Sequence, residues 1–315
     1  MSKAWAFVFP GQGAQYPGMG KDFYDQFAIA RETFLEADAC LNQPLSKLIF
    51  EGPSDELTLT KNSQVAIFVT SMAIFRTVQE LFPDLKPIYT AGLSLGEYTA
   101  LTAAGKVSFK ECLDLVRLRA SAMHQACGER AGGMQVVLGL TEEAVRAALP
   151  SELQVWVANL NCPGQVVISG AMSDIPAAAE ALKAKGAKRV LPLEVSGAFH
   201  SDLMRSAQEL LGPKIAATQF HETSIDVVMN VPGIAVRSLG EMRRNLFEQV
   251  TSPVLWEKGV RSMQNADVFL EMGPGKTLAG MNKRIGISQP TLSIERVGDL
   301  EELAKFLEAY AIAKD

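Results

Sequence analysis

The sequence predicts an α/β fold: a largely parallel sheet with helices packed around it, interrupted by a small inserted βαββαβ unit. Three observations lead there. Apolar stretches of strand length alternate with longer helical patterns over most of the 315 residues. From Gly133 the order changes to strand, helix, strand, strand, helix, strand, the split βαβ or ferredoxin-like arrangement. Finally, Gly92-Leu93-Ser94-Leu95-Gly96 joins a strand pattern to a helix pattern, the setting in which G-x-S-x-G forms a nucleophile elbow.

Residues 5–9 read as a buried strand ending at Pro10-Gly11. Residues 22–42 read as helical, residues 48–55, with Gly52 and Pro53, as a loop, and residues 62–81 as a long, largely buried helix. Residues 87–91 are the strand before the elbow, and the Ala- and Leu-rich residues from Glu97 to Ala104 begin the helix after it. The helix expected over residues 108–127 has Ser108 and Glu111 at capping-box spacing. The inserted unit follows: strands at 134–140, 153–160, 165–170 and 189–195, with helices at 141–149 and 173–185. A turn at 161–164 joins the middle strands. Beyond it come a helix through Ile215, a strand at 225–229, helices at 239–249 and 254–263, strands at 267–272 and 291–294, and an amphipathic helix at 300–313.

Composition removes several classes of function. Thirty basic against 35 acidic residues give a net charge of −5, which is not that of a nucleic-acid binder. No apolar run reaches the ~18 residues of a membrane span. The apolar residues 4–9 stop at Pro10-Gly11 without a cleavage-site pattern, so no signal peptide is expected. Cys40, Cys112, Cys127 and Cys162 form no CxxC, and no close histidine pair suggests zinc. They read as reduced thiols, and the chain as cytoplasmic.

Two glycine-rich motifs fail on inspection. Gly11-Gln12-Gly13 is not a dinucleotide fingerprint, because Tyr16 stands where the third glycine belongs. Gly275-Lys276-Thr277 is not a P-loop, because Leu270 stands where its first glycine belongs; it reads as a strand end followed by a helix N-terminus. The elbow motif survives. Ser94 at its tip would be exposed beside the first N–H groups of a helix, where charge on a reacting oxygen is stabilised.

A serine nucleophile needs a base. The candidates are His124, His200 and His221. His124 falls inside a helix and His221 in a polar, exposed stretch. His200 lies among small residues where the chain leaves the inserted unit, so it is the expected base. Asp202 is too close in sequence to orient its ring, and a backbone carbonyl or amide is the remaining candidate for that task. Arg117 and Arg119 fall on opposite faces of one helix, and Arg119 shares its face with Leu115, Ala122 and Met123. A charge there needs a partner. A structural salt bridge and a clamp for an anionic ligand remain equally open.

Phe9 to Gln15, Gly92 to Tyr98, Gly197 to Ser201 and Glu271 to Lys276 together resemble, in order and spacing, the motifs of the malonyl-CoA:acyl-carrier-protein transacylases. The resemblance covers nearly the whole chain. It implies an α/β-hydrolase-like core, residues 1–127 and 198–315, with a ferredoxin-like subdomain at 128–197. It also implies transfer of malonyl from malonyl-CoA to the phosphopantetheine thiol of acyl carrier protein in fatty acid biosynthesis. Ser94 would carry the acyl group and His200 would move the protons. The N–H groups of Gln12 and Leu95 would form the oxyanion hole. Arg119 would hold the malonyl carboxylate, and backbone beside Gln249 would orient the His200 ring. Phe199 would crowd a methyl branch. No cofactor or metal is implied, and the expected form is a monomer. Leu93 stands where the family usually has histidine. A hydrolase or thioesterase with the same elbow, and a non-enzymatic subunit that docks the carrier, are the competing readings. Lys188-Arg189 and Lys283-Arg284 are candidate contacts for an acidic carrier.

Overall fold

The computed structural model describes residues 3–312. Its first stretch runs β1 (Trp5–Phe9), α1 (Lys21–Gln26), α2 (Ala28–Leu41), α3 (Leu45–Glu51), α4 (Ser54–Thr58), α5 (Thr60–Leu81), β2 (Pro87–Gly92), α6 (Gly96–Ala103) and α7 (Phe109–Glu129). The inserted unit is β3 (Gly132–Leu138), α8 (Glu142–Ala148), β4 (Val155–Cys162), β5 (Gln165–Ala171), α9 (Ile175–Ala184) and β6 (Arg189–Pro192). The chain then returns through α10 (Arg205–Ala217), β7 (Asp226–Met229), β8 (Ile234–Val236), α11 (Leu239–Gln249), α12 (Trp256–Ser262), β9 (Val268–Met272), α13 (Thr277–Ile285), β10 (Thr291–Ile294) and α14 (Asp299–Ile312).

Two separate sheets result. The larger has the order β10-β9-β1-β2-β7-β8, parallel throughout except for the antiparallel edge pair β7–β8. β1 lies inside it, which explains why all five of its residues are buried. Its side chains alternate between faces. Trp5, Phe7 and Phe9 join the large core with α5 and α7; Ala6 and Val8 join a second core with Trp256, Phe269 and Leu278. α5 is buried at every position from Ser63 to Ile74, as a helix enclosed on all sides must be.

The smaller sheet has the order β4-β5-β3-β6, with every pair antiparallel. It has its own apolar cluster, in which Val137, Val157 and Ile168 pack against Val145, Ala178 and Leu182 from α8 and α9. Ser108 caps α7, accepting the Glu111 N–H at 3.3 Å while giving its hydroxyl to that carboxylate at 2.7 Å. Among the described residues no helix is long and apolar enough to cross a membrane.

The structure departs from these expectations at residues 48–55 and at β8. Residues 22–42 are helical as expected, in two helices rather than a continuous one, because Phe27 is extended at φ −121° and ψ 127°. The loop at 48–55 is occupied by α3 and α4: Gly52 ends the first and Pro53 precedes the second, so both residues bound helices. The edge strand β8, three residues long, has no counterpart among the expected strands, whereas the helix N-terminus expected at Gly275-Lys276-Thr277 is the start of α13. Ala313, the last residue of the predicted final helix, lies outside the described residues.

Parallel strands bring their C-terminal ends to one edge. Gln12 follows β1, Ser94 follows β2, Asn230 follows β7 and Thr277 follows β9, so all four reach the edge where open α/β sheets bind ligands.

Candidate active site

The elbow is dictated by contact distances. A Cβ on Gly92 would lie 1.9 Å from the Gly96 carbonyl carbon, and one on Gly96 would lie 2.2 Å from the Phe9 oxygen. No side chain fits at either position, so strand, turn and helix can touch only through glycine. Gly92→Ala is therefore expected to lower the unfolding free energy by about 3 kcal/mol or more, read by denaturant titration. Between the glycines Ser94 is held at φ 53°. Only two other non-glycine residues among those described have positive φ: Asn42, which ends α2, and His200, at φ 57°. Asparagine at a helix end is ordinary. Serine and histidine in this conformation mark stored strain.

The two strained residues meet. Ser94 Oγ and His200 Nε2 are 2.8 Å apart. His200 Nδ1 lies 2.8 Å from the Gln249 carbonyl oxygen. A carbonyl only accepts, so Nδ1 carries the proton and the Nε2 lone pair receives the serine hydroxyl. Asp202 takes no part; it pairs with Arg205 at 2.6 Å. Burial, aided by the nearby Arg119 guanidinium, lowers the His200 pKa to about 4. The ring is neutral at pH 7 and ready to accept a proton.

Arg119 is 1% exposed and reaches the same hydroxyl, with Nη2 3.1 Å from Ser94 Oγ. Its other acceptors are amides: Gln249 Oε1 at 2.9 Å and Gln64 Oε1 at 2.5 Å. Among the described residues no carboxylate forms an ion pair with it. Arg117, by contrast, is exposed and 3.6 Å from Asp114. A buried guanidinium with neutral partners leaves positive charge beside the nucleophile, which suits an anionic acyl group.

Gln249 touches all three groups. Its carbonyl orients His200, its Oε1 faces Arg119, and its Nε2 donates to the Ser94 carbonyl at 2.9 Å. Glu97 accepts from the same Nε2. Burial raises the Glu97 pKa to about 7, against the lowering effect of its donors and of Arg119. The backbone N–H groups of Gln12 and Leu95 have no protein partner among the described residues. The Gly11 and elbow backbones touch, since a Cβ on Gly11 would lie 2.4 Å from the Leu93 oxygen.

A cleft of about 240 Å³ opens above these groups, lined by Gln12, Ser94, Phe199 and His200 on the core side and by Asn159 and Val167 from the inserted unit. Leu93 also lines it, while Arg119 and Gln249 lie beneath its floor. Phe199 is nearly buried. His221 is exposed and His124 half-buried; the Ser94 hydroxyl is engaged by His200 and Arg119 instead. The exposed Lys188, Arg189, Lys283 and Arg284 have no ion-pair partner among the described residues. Glu97, Asn230 and Gln64 were not foreseen as parts of the site. A carboxylate or amide inside an apolar helix was the available signal for Glu97 and Gln64.

The acyl transferase domain family matches residues 6–302. The malonyl CoA-acyl carrier protein transacylase of Bacillus subtilis (strain 168) is 42% identical over 300 residues, covering 93% of this chain and 94% of its own. The crystal structure of the Clostridium perfringens malonyl CoA-acyl carrier protein transacylase superposes with a TM-score of 0.94 at 35% identity, covering 99% of this chain and all of that one (100%). A malonyl-transacylase solved in complex with a type II PKS acyl-carrier protein gives a TM-score of 0.90 at 37% identity, covering 94% of this chain and 97% of that one.

Proposed function

The chain belongs to the malonyl CoA-acyl carrier protein transacylases of the acyl transferase family, and on that footing we propose that it moves malonyl from coenzyme A to acyl carrier protein through an ester on Ser94. The observation that carries this reading is the Ser94 hydroxyl set between a neutral imidazole acceptor at 2.8 Å and a buried guanidinium at 3.1 Å. Fatty acid biosynthesis is the process served, in the cytoplasm, with the protein as a monomer. No metal or cofactor enters the scheme. The division into a core, residues 1–127 and 198–315, and an inserted unit at 128–197 is supported by the two sheets and their separate apolar clusters.

Ser94 Oγ attacks the thioester carbonyl while its proton passes to His200 Nε2. The oxygen that gains charge is held by the N–H groups of Gln12 and Leu95; one such donor is typically worth about 10²–10³ in rate. The carbon–sulfur bond breaks and the imidazolium protonates the departing thiolate of coenzyme A. In the second half the phosphopantetheine thiol gives its proton to His200 and attacks the ester. The carbon–oxygen bond breaks, and the proton returns to Ser94. Phe199, on the wall of the cleft, disfavours a methyl branch on the acyl group.

Intact-mass measurement after mixing with malonyl-, methylmalonyl- or acetyl-CoA tests this. Malonyl should load on Ser94 ahead of the other two; equal loading of all three would refute the assigned selectivity. Arg119→Ala should lower the kcat/KM of malonyl transfer by about 10²–10³-fold, the range seen when a buried charge loses its partner. Acetyl transfer should change far less in the same assay. The exposed basic pairs at 188–189 and 283–284 would face an acidic carrier, so transfer should slow as ionic strength rises from low salt. Rates measured across a salt series with a fixed carrier concentration decide it.

A further inference from the structure

Below the Ser94–His200 pair lies a carboxyl that the reaction scheme does not use. Glu97, in the first turn of α6, is wholly buried. Its Oε1 accepts the main-chain N–H of Asn230 at 2.7 Å, and its Oε2 accepts the Gln249 side-chain amide. Those two residues in turn hold the main chain of the nucleophile from both sides. Asn230 Oδ1 accepts the Ser94 N–H at 2.7 Å, and Gln249 Nε2 donates to the Ser94 carbonyl at 2.9 Å. Asn230 Nδ2 also donates to the Gly92 carbonyl at 2.7 Å, at the entry to the turn.

We propose that Glu97 is a positioning residue: through Asn230 and Gln249 it fixes the left-handed backbone of Ser94 and the amide orientation that turns Gln249 Oε1 toward Arg119. The proposal rests on the roles given above to Ser94 and Arg119.

The donor and acceptor inventory supports it. Gln249 Nε2 faces the Ser94 carbonyl and the Glu97 carboxyl, both acceptors, while its Oε1 faces a guanidinium. The reversed amide would set oxygen against two acceptors and NH₂ against the cation. Glu97 accepts at both ends. A glutamine at position 97 has the same shape but only one acceptor end. Its NH₂ must oppose either the Asn230 N–H or the Gln249 NH₂. One link then breaks with almost no change in volume, and Gln249 loses its bias toward presenting Oε1 to Arg119.

The test uses the full chain, with loading of Ser94 by malonyl-CoA and acetyl-CoA followed by intact mass and the thermal midpoint recorded for every variant. Glu97→Gln should fold, load malonyl about tenfold more slowly, and lose about tenfold of its preference for malonyl over acetyl, the scale of one unsatisfied buried hydrogen bond. Adding Glu97→Gln to Gln249→Leu should leave that preference where Gln249→Leu alone puts it, because both act on the same link. An unchanged preference in folded Glu97→Gln, or losses that add in the double variant, overturns the proposal. Failure of both Glu97→Gln and Glu97→Asp to fold also overturns it, in favour of a purely structural carboxyl. If the wild-type protein takes no malonyl on Ser94, the assigned reaction itself falls, and that failure is distinct because it appears before any substitution at position 97.

Discussion

Ser94→Ala is expected to leave no covalent malonyl adduct and to lower transfer to carrier protein by about ten-thousandfold or more, the scale of losing a serine nucleophile. The fold should survive. The replacement removes one oxygen, with its hydrogen bonds to His200 and Arg119, and leaves the Asn230 and Gln249 contacts to the residue 94 backbone untouched. Alanine inherits the φ of 53° that serine already tolerates, so no new backbone strain appears. Intact mass after incubation with malonyl-CoA, alongside thermal melts, separates the two effects. A folded alanine variant that still accumulates malonyl would place the nucleophile elsewhere. One that still transfers at the wild-type rate without an adduct would rule out the two-step route.

How much of this site could be read from the chain depends on which atoms do the work. The elbow was legible because its constraint is steric: Gly92 and Gly96 leave no room for Cβ, and that requirement is written in residue type. Arg119 was legible as a charge on an apolar face, although whether it sits in an ion pair was not. Coordinates supply the answer, a set of neutral amide partners. The orienting partner of His200 was less visible, because the atom involved is a main-chain carbonyl, which every residue possesses. Glu97 and Asn230 meet across 133 residues of sequence, and no local pattern announces such a pair. The same limit applies to the fold. The inserted unit declared itself by order and alternation, whereas Gly52 and Pro53 punctuate equally well as a loop or as the boundary between α3 and α4.

His200→Ala should lower the malonyl loading rate by about a thousandfold, within the range attributed to a positioned general base. Alanine removes the acceptor 2.8 Å from the serine hydroxyl and leaves the Gln249 carbonyl without its ring donor. The pH profile distinguishes this role from simple packing. The active form of the free enzyme has a neutral imidazole. Its pKa is depressed to about 4 by burial and then by Arg119, so that form persists above about pH 4 and disappears as pH falls through it. The acid limb that His200 sets in kcat/KM for loading should therefore lie well below the ordinary histidine value of about 6.5, so that in Glu97→Gln, where that limb alone remains, the rate is near its plateau by pH 6. A second inflection near neutrality has a different owner, because burial raises the Glu97 carboxyl to about 7. The two are separable by substitution. Glu97→Gln should erase an inflection near 7 and leave the lower limb in place, whereas His200→Ala should erase the lower limb. An acid limb at 6.5 that survives in Glu97→Gln would show the imidazole to be better solvated in the working enzyme than its buried position implies.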